Sequence, residues 1–96
     1  MIHEIATITI DPSRAAGFEA AVAAARPHFE AAEGYVSFNL RRSIEHPERY
    51  QLVVGWETVD AHEVDFRGSP GFQAWRALAS PFFVGVPSVE HVATVI

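Results

Sequence analysis

Five histidines, two tryptophans and seven phenylalanines are the side chains in this 96-residue chain with most to offer a reaction site. The histidines stand at positions 3, 28, 46, 62 and 91. None is four residues from another and none falls in an HExxH-like pattern, so spacing supplies no metal motif and no metal ligand set is expected. Cysteine is absent, which removes thiolate sites and disulfides. What imidazole can still do is acid–base work: a neutral ring with a pKa of about 6.5 accepts a phenolic proton at physiological pH. His46 precedes Pro47 and reads as a turn residue, and His28 reads as a helix-surface residue. His62 and His91 are left open by position alone: each could be an acid–base group or a half-buried packing residue. Trp56, Phe66, Trp75, Phe82 and Phe83 could wall an apolar cavity for a flat aromatic ligand. Phe38 and Phe72 read as core, Arg67 and Arg76 as surface ion-pair residues, and Asn39 as an interface residue.

The segment 50–75 must position most of these groups. It reads as a strand ending in Trp56, a capped turn of helix, a break at Gly68, and a second helix opened by Ser69-Pro70. Before it, residues 2–10 alternate as a strand, with Ile2, Ala6, Ile8 and Ile10 on one face. Asp11-Pro12 opens a helix in which Phe18, Val22, Ala25, Phe29 and Ala32 form one apolar stripe, Pro27 bends the last turns, and Gly34 closes it. Residues 35–57 read as an antiparallel hairpin turning at His46-Pro47. Phe72, Trp75, Leu78 or Ala79, and Phe82 give the second helix its apolar face; Pro81 ends it, and 89–96 form the last strand. The order β-α-β-β-α-β predicts an α+β fold, the ferredoxin-like split βαβ arrangement, with a four-stranded antiparallel sheet. The helices can cover only one sheet face, so a homodimer is expected to bury the other.

Length suits one domain, residues 1–96. With 49% hydrophobic and 20% charged residues the chain is globular rather than disordered. A net charge of −5, with no basic cluster beyond Arg41-Arg42, argues against nucleic acid as a partner. No window approaches the ~18 consecutive apolar residues of a membrane span. The N-terminus reads as a strand rather than a signal peptide, so a cytoplasmic location is expected. No Gly-rich phosphate loop points to a nucleotide.

Several stretches together resemble the antibiotic biosynthesis monooxygenase family of dimeric α+β barrels. They are the GYVSFNL segment after the first helix, Gly55-Trp56-Glu57, and Ala61-His62 through Phe66-Arg67-x-Ser69-x-x-Phe72-x-x-Trp75-Arg76, with Val89-Glu90-His91 near the end. The resemblance covers nearly the whole chain. It places His62 and His91 near a cleft between helices and sheet, which makes these two the catalytic candidates. Haem-degrading members use an Asn on strand one, a Trp in the second helical region and a later haem-ligating His. Here strand one has no Asn, the Trp position falls at Asp65 or Phe66, and the His position at Trp75 or Arg76, so that machinery is missing. The resemblance instead implies a monooxygenase without cofactor, acting on a hydroxylated aromatic or quinol-like molecule. The alternatives are a non-catalytic small-molecule-binding protein, or an isomerase or lyase, on the same scaffold.

Overall fold

The computed structural model describes residues 1–96. Four strands, β1 (Ile2–Thr9), β2 (Tyr35–Arg42), β3 (Arg49–Trp56) and β4 (Ser88–Val92), form one antiparallel sheet in the order β2-β3-β1-β4. Helices α1 (Ala15–Glu30) and α2 (Pro70–Ala79) supply the second layer. The fold is the expected ferredoxin-like α+β arrangement.

Local chemistry explains the boundaries. The Asp11 carboxylate accepts from Ser13 N at 2.9 Å, and a 3₁₀ turn at Pro12–Arg14 leads into α1. The helix continues through Pro27 for a further turn. Gly34 then reverses the chain with φ +83°, and a Cβ there would stand 2.7 Å from Ala61 Cβ, so both backbone and space require glycine. Thr58 Oγ1 accepts from Ala61 N at 3.1 Å and opens a six-residue π-helical turn, Ala61–Phe66. The sequence reading expects an ordinary capped turn there. Ser69 caps α2 by accepting from Phe72 N. The last strand stops at Val92, short of the expected 96, and its final pair with β1 is His3↔Val92.

One core lies between the layers. From the sheet it takes Ala6, Ile8, Tyr50, Leu52, Val54 and Trp56; α1 adds Phe18, Val22, Ala25 and Phe29, the stripe that periodicity predicts. Phe29 is the hub, with ring centroids 5.0 Å from Phe38, 4.6 Å from Phe66 and 5.4 Å from Trp75. On the far face of β1, Ile5 and Thr7 remain only partly covered.

Candidate active site

Glu4 shares the helix-facing side of β1 with Ile2, Ala6 and Ile8. The β1–β4 register sets it directly opposite His91. A carboxyl on an apolar strand face must find partners or stay protonated. Glu4 is 5% exposed and has two partners. Trp56 Nε1 donates to its Oε1 at 3.0 Å, and His62 Nε2 stands 3.3 Å from the same oxygen. Burial pushes its pKa up to about 7, against the pull of the Trp56 hydrogen bond and of the Arg67 charge.

His62 enters from the π-helical turn and lies stacked on Trp56, with ring centroids 5.6 Å apart and planes 16° from parallel. It too is buried, which pushes its pKa down to about 4 even though the neighbouring Glu63 charge opposes this. Glu4 and His62 stand at ion-pair distance, yet both shifts favour the uncharged forms, so near pH 5.5 the two side chains face each other as neutral groups. His62 Nδ1 lies 2.8 Å from His91 Nε2, and His91 is the member open to solvent, its side chain 20% exposed. The result is a chain of titratable groups, Glu4–His62–His91, running from the interior to the surface.

Glu4 and His62 form part of the wall of a cleft of about 390 Å³. Ala6, Ile8, Phe72, Trp75 and Phe83 make its apolar side, and the loop carrying Val86 forms the rim. Arg67 and Arg76 supply positive charge to the same cleft. Arg67 also keeps the expected surface pairing, its Nη1 3.4 Å from Glu63 Oε2, whereas Arg76 takes part in no salt bridge. Phe83 is held in place by the bridge between Ile10 and Phe83 and by the Val84 N–H, which donates to Thr9 O at 2.8 Å.

Among the residues singled out from sequence, His62, Trp75 and Phe83 face this cleft, and His91 joins it through His62. Trp56 and Phe66 do not reach it: they are 0% and 2% exposed, and the core absorbs both rings. Trp56 acts from behind, orienting Glu4 by its N–H and His62 by its ring face. Phe82 lies elsewhere, 3.1 Å from where a Cβ on Gly17 would stand and under the Arg14 guanidinium at 4.3 Å. Phe72, read as core, also contributes cleft surface. The sequence reading overlooked Glu4. The signal was there, since strict alternation puts residue 4 between Ile2 and Ala6 on the buried face.

Comparison with known proteins agrees with this architecture. The sequence profile for antibiotic biosynthesis monooxygenase matches residues 1–78. The uncharacterised protein YczJ of Bacillus subtilis is 36% identical over 91 residues, which are 95% of this chain and 96% of that one. A candidate antibiotic biosynthesis monooxygenase from Bordetella bronchiseptica is 54% identical with a TM-score of 0.96, covering 99% of this chain and 97% of its own. SnoaB, a cofactor-independent oxygenase from Streptomyces nogalater solved in a mutant form, shares the fold at a TM-score of 0.80 with 18% identity, covering 99% of this chain and 93% of its own. By profile, sequence and structure together, the chain belongs to the antibiotic biosynthesis monooxygenase family.

Proposed function

We propose that residues 1–96 act as one domain that oxidises a hydroxylated aromatic, of the quinol or polycyclic phenol class, with dioxygen and without a flavin or haem. The observation that carries this reading is the buried Glu4–His62 pair on the wall of a cleft whose other side is apolar, made by Ala6, Ile8, Phe72, Trp75 and Phe83. Family membership supports the reaction class, and the named activity of SnoaB supports a cofactor-free route. The cleft volume falls within the ~300–1,000 Å³ usual for small-molecule sites.

The chemistry asks little of the protein. The substrate hydroxyl gives its proton to the ionised form of Glu4, whose pKa of about 7 keeps that form populated at neutral pH. Arg67 and Arg76 stabilise the resulting aryl oxide. That anion passes one electron to dioxygen, and the aryl radical and superoxide combine in a new bond from ring carbon to oxygen. The stored proton returns to the peroxide. Loss of water then breaks the O–O bond and removes the ring hydrogen. One oxygen atom ends in the quinone carbonyl and the other in water, and all four electrons come from the substrate. His91 exchanges protons between His62 and solvent. A second copy packed against the open sheet face completes the assembly as a homodimer.

Oxygen uptake with a panel of quinols and hydroxynaphthalenes tests this reading. His62→Ala removes the ring beside the Glu4 base and should depress turnover at least ~100-fold, within the range a positioned base is worth. Glu4→Gln, which keeps an acceptor for Trp56, should do the same without disturbing the fold. Turnover should persist when the protein is stripped with a chelator. Near-full activity in both variants, or its loss on chelation, would overturn the proposal. A panel member that binds in the cleft with no oxygen uptake would favour a binding protein instead.

A further inference from the structure

The contact between His62 and His91 includes a third donor. Glu63 Oε1 lies 3.5 Å from His62 Nδ1 and 3.7 Å from His91 Nε2, and the two nitrogens are 2.8 Å apart. A point equidistant from these three atoms is about 2 Å from each, the length of a zinc–nitrogen or zinc–carboxylate bond. We propose that His62, Glu63 and His91 bind one divalent transition-metal ion of the zinc class, leaving an open coordination position.

Three further features support this assignment. Glu63 is already aimed: Arg67 holds its Oε2 at 3.4 Å, which turns Oε1 toward the two rings. His62 is backed as metal-bound imidazoles usually are, with its other nitrogen, Nε2, 3.3 Å from the Glu4 carboxylate. Glu4 is itself held by Trp56 Nε1, so the orientation of the ring is set before any ion arrives. Access is one-sided. The His62 side chain is 3% exposed, while Glu63 and His91 are 34% and 20% exposed, so an ion can enter from solvent without opening the core.

The donor set defines the ion class. Two imidazoles and one carboxylate suit Zn²⁺, Co²⁺, Ni²⁺ or Cu²⁺, whereas Mg²⁺ and Ca²⁺ favour sites built from oxygen. The linear sequence conceals the site. His62 and Glu63 are adjacent, and His91 joins them only because β4 pairs with β1 and sets it opposite Glu4. The ion would take the place of the hydrogen between His62 Nδ1 and His91 Nε2. Zn²⁺ should therefore block proton exchange through His91 and inhibit the oxidation proposed above. That inhibition rests on the oxidation reading; the site does not.

The test uses the full chain, stripped with a chelator and dialysed. Calorimetric titration with Zn²⁺ should give one ion per chain, and Co²⁺ should develop the visible absorption of a low-coordinate nitrogen and oxygen site. Zinc should also raise the melting temperature. His91→Ala and Glu63→Gln, both at half-buried positions, should each weaken binding at least ~10-fold and abolish the cobalt spectrum. Glu4→Gln should weaken it by ~10–100-fold, the usual effect of losing the partner behind a ligand. Mg²⁺ should not compete. Absence of binding at about 100 µM Zn²⁺ would overturn the site, as would equal affinity in parent and His91→Ala, which would place the ion on another histidine. If zinc binds as described and no quinol is oxidised, the functional reading fails and the metal site stands.

Discussion

Burial moves Glu4 and His62 in opposite directions as the chain folds, the carboxyl up and the imidazole down. Near pH 5.5 the unfolded chain carries an ionised Glu4 and a protonated His62, given ordinary values of 4.5 and 6.5. Folding moves these to about 7 and about 4, so in the native state the carboxyl holds the proton and the imidazole is neutral. The two contributions to stability have opposite signs. Glu4, raised, contributes stability that is complete below pH 4.5 and is lost as pH rises through about 7. His62, lowered, contributes stability that is present above pH 6.5 and is lost as pH falls through about 4. In the parent they largely cancel, and single variants should uncover each one. Relative to the parent, Glu4→Gln should gain stability with rising pH between 4.5 and about 7, and His62→Gln should lose it between about 4 and 6.5. Each slope is at most about 1.4 kcal/mol per pH unit for one proton. Urea titrations across pH measure this directly, and parallel curves for all three proteins would show that the pair is not coupled to folding.

At the scale of elements, α1 is held by a single stripe and the site by a single turn. Phe29, 1% exposed, touches the aromatic rings of β2, of the π-helical turn and of α2. Truncating it leaves a cavity that several elements border, so Phe29→Ala should cost about 3–5 kcal/mol by chemical denaturation. A loss under about 1 kcal/mol would mean that the stripe does not carry the packing. The stripe was legible because the helical period repeats over four turns. The π-helical turn was not, because the wider turn depends on where Gly34, Ala61 and the end of β3 meet rather than on local propensity. Placing His62 and Glu63 toward His91 depends on that turn.

For the whole molecule, the unsolved surface is the open face of the sheet. Ile5 and Val53 lie on it, with Val36 and Val92 at 43% and 38% exposure, next to His3, Thr7 and Asn39. Apolar groups this concentrated favour a partner surface. The proposed homodimer, joined sheet to sheet, should bury on the order of 1,600 Å² in total. Sedimentation at micromolar concentration should give twice the chain mass, and a monomer there would overturn the assembly. A charge placed at Val92, as in Val92→Lys, should shift the equilibrium toward monomer.

By itself the sequence determined the element order, the α1 stripe, the hairpin and the helix starts, because each rests on contacts or caps within a few residues. It also marked His62, Trp75 and Phe83, whose positions follow from the elements that carry them. Only the tertiary structure decided which aromatic rings also meet the cleft, since Trp56 and Trp75 are the same residue type and both belong to the core, yet only Trp75 lines the cleft. It alone joined Glu4 to His62 and His91, residues separated by 58 and 29 positions along the chain and brought together by strand register and one turn. The pKa values of that pair depend on desolvation, a property of everything around a group, which local sequence does not contain.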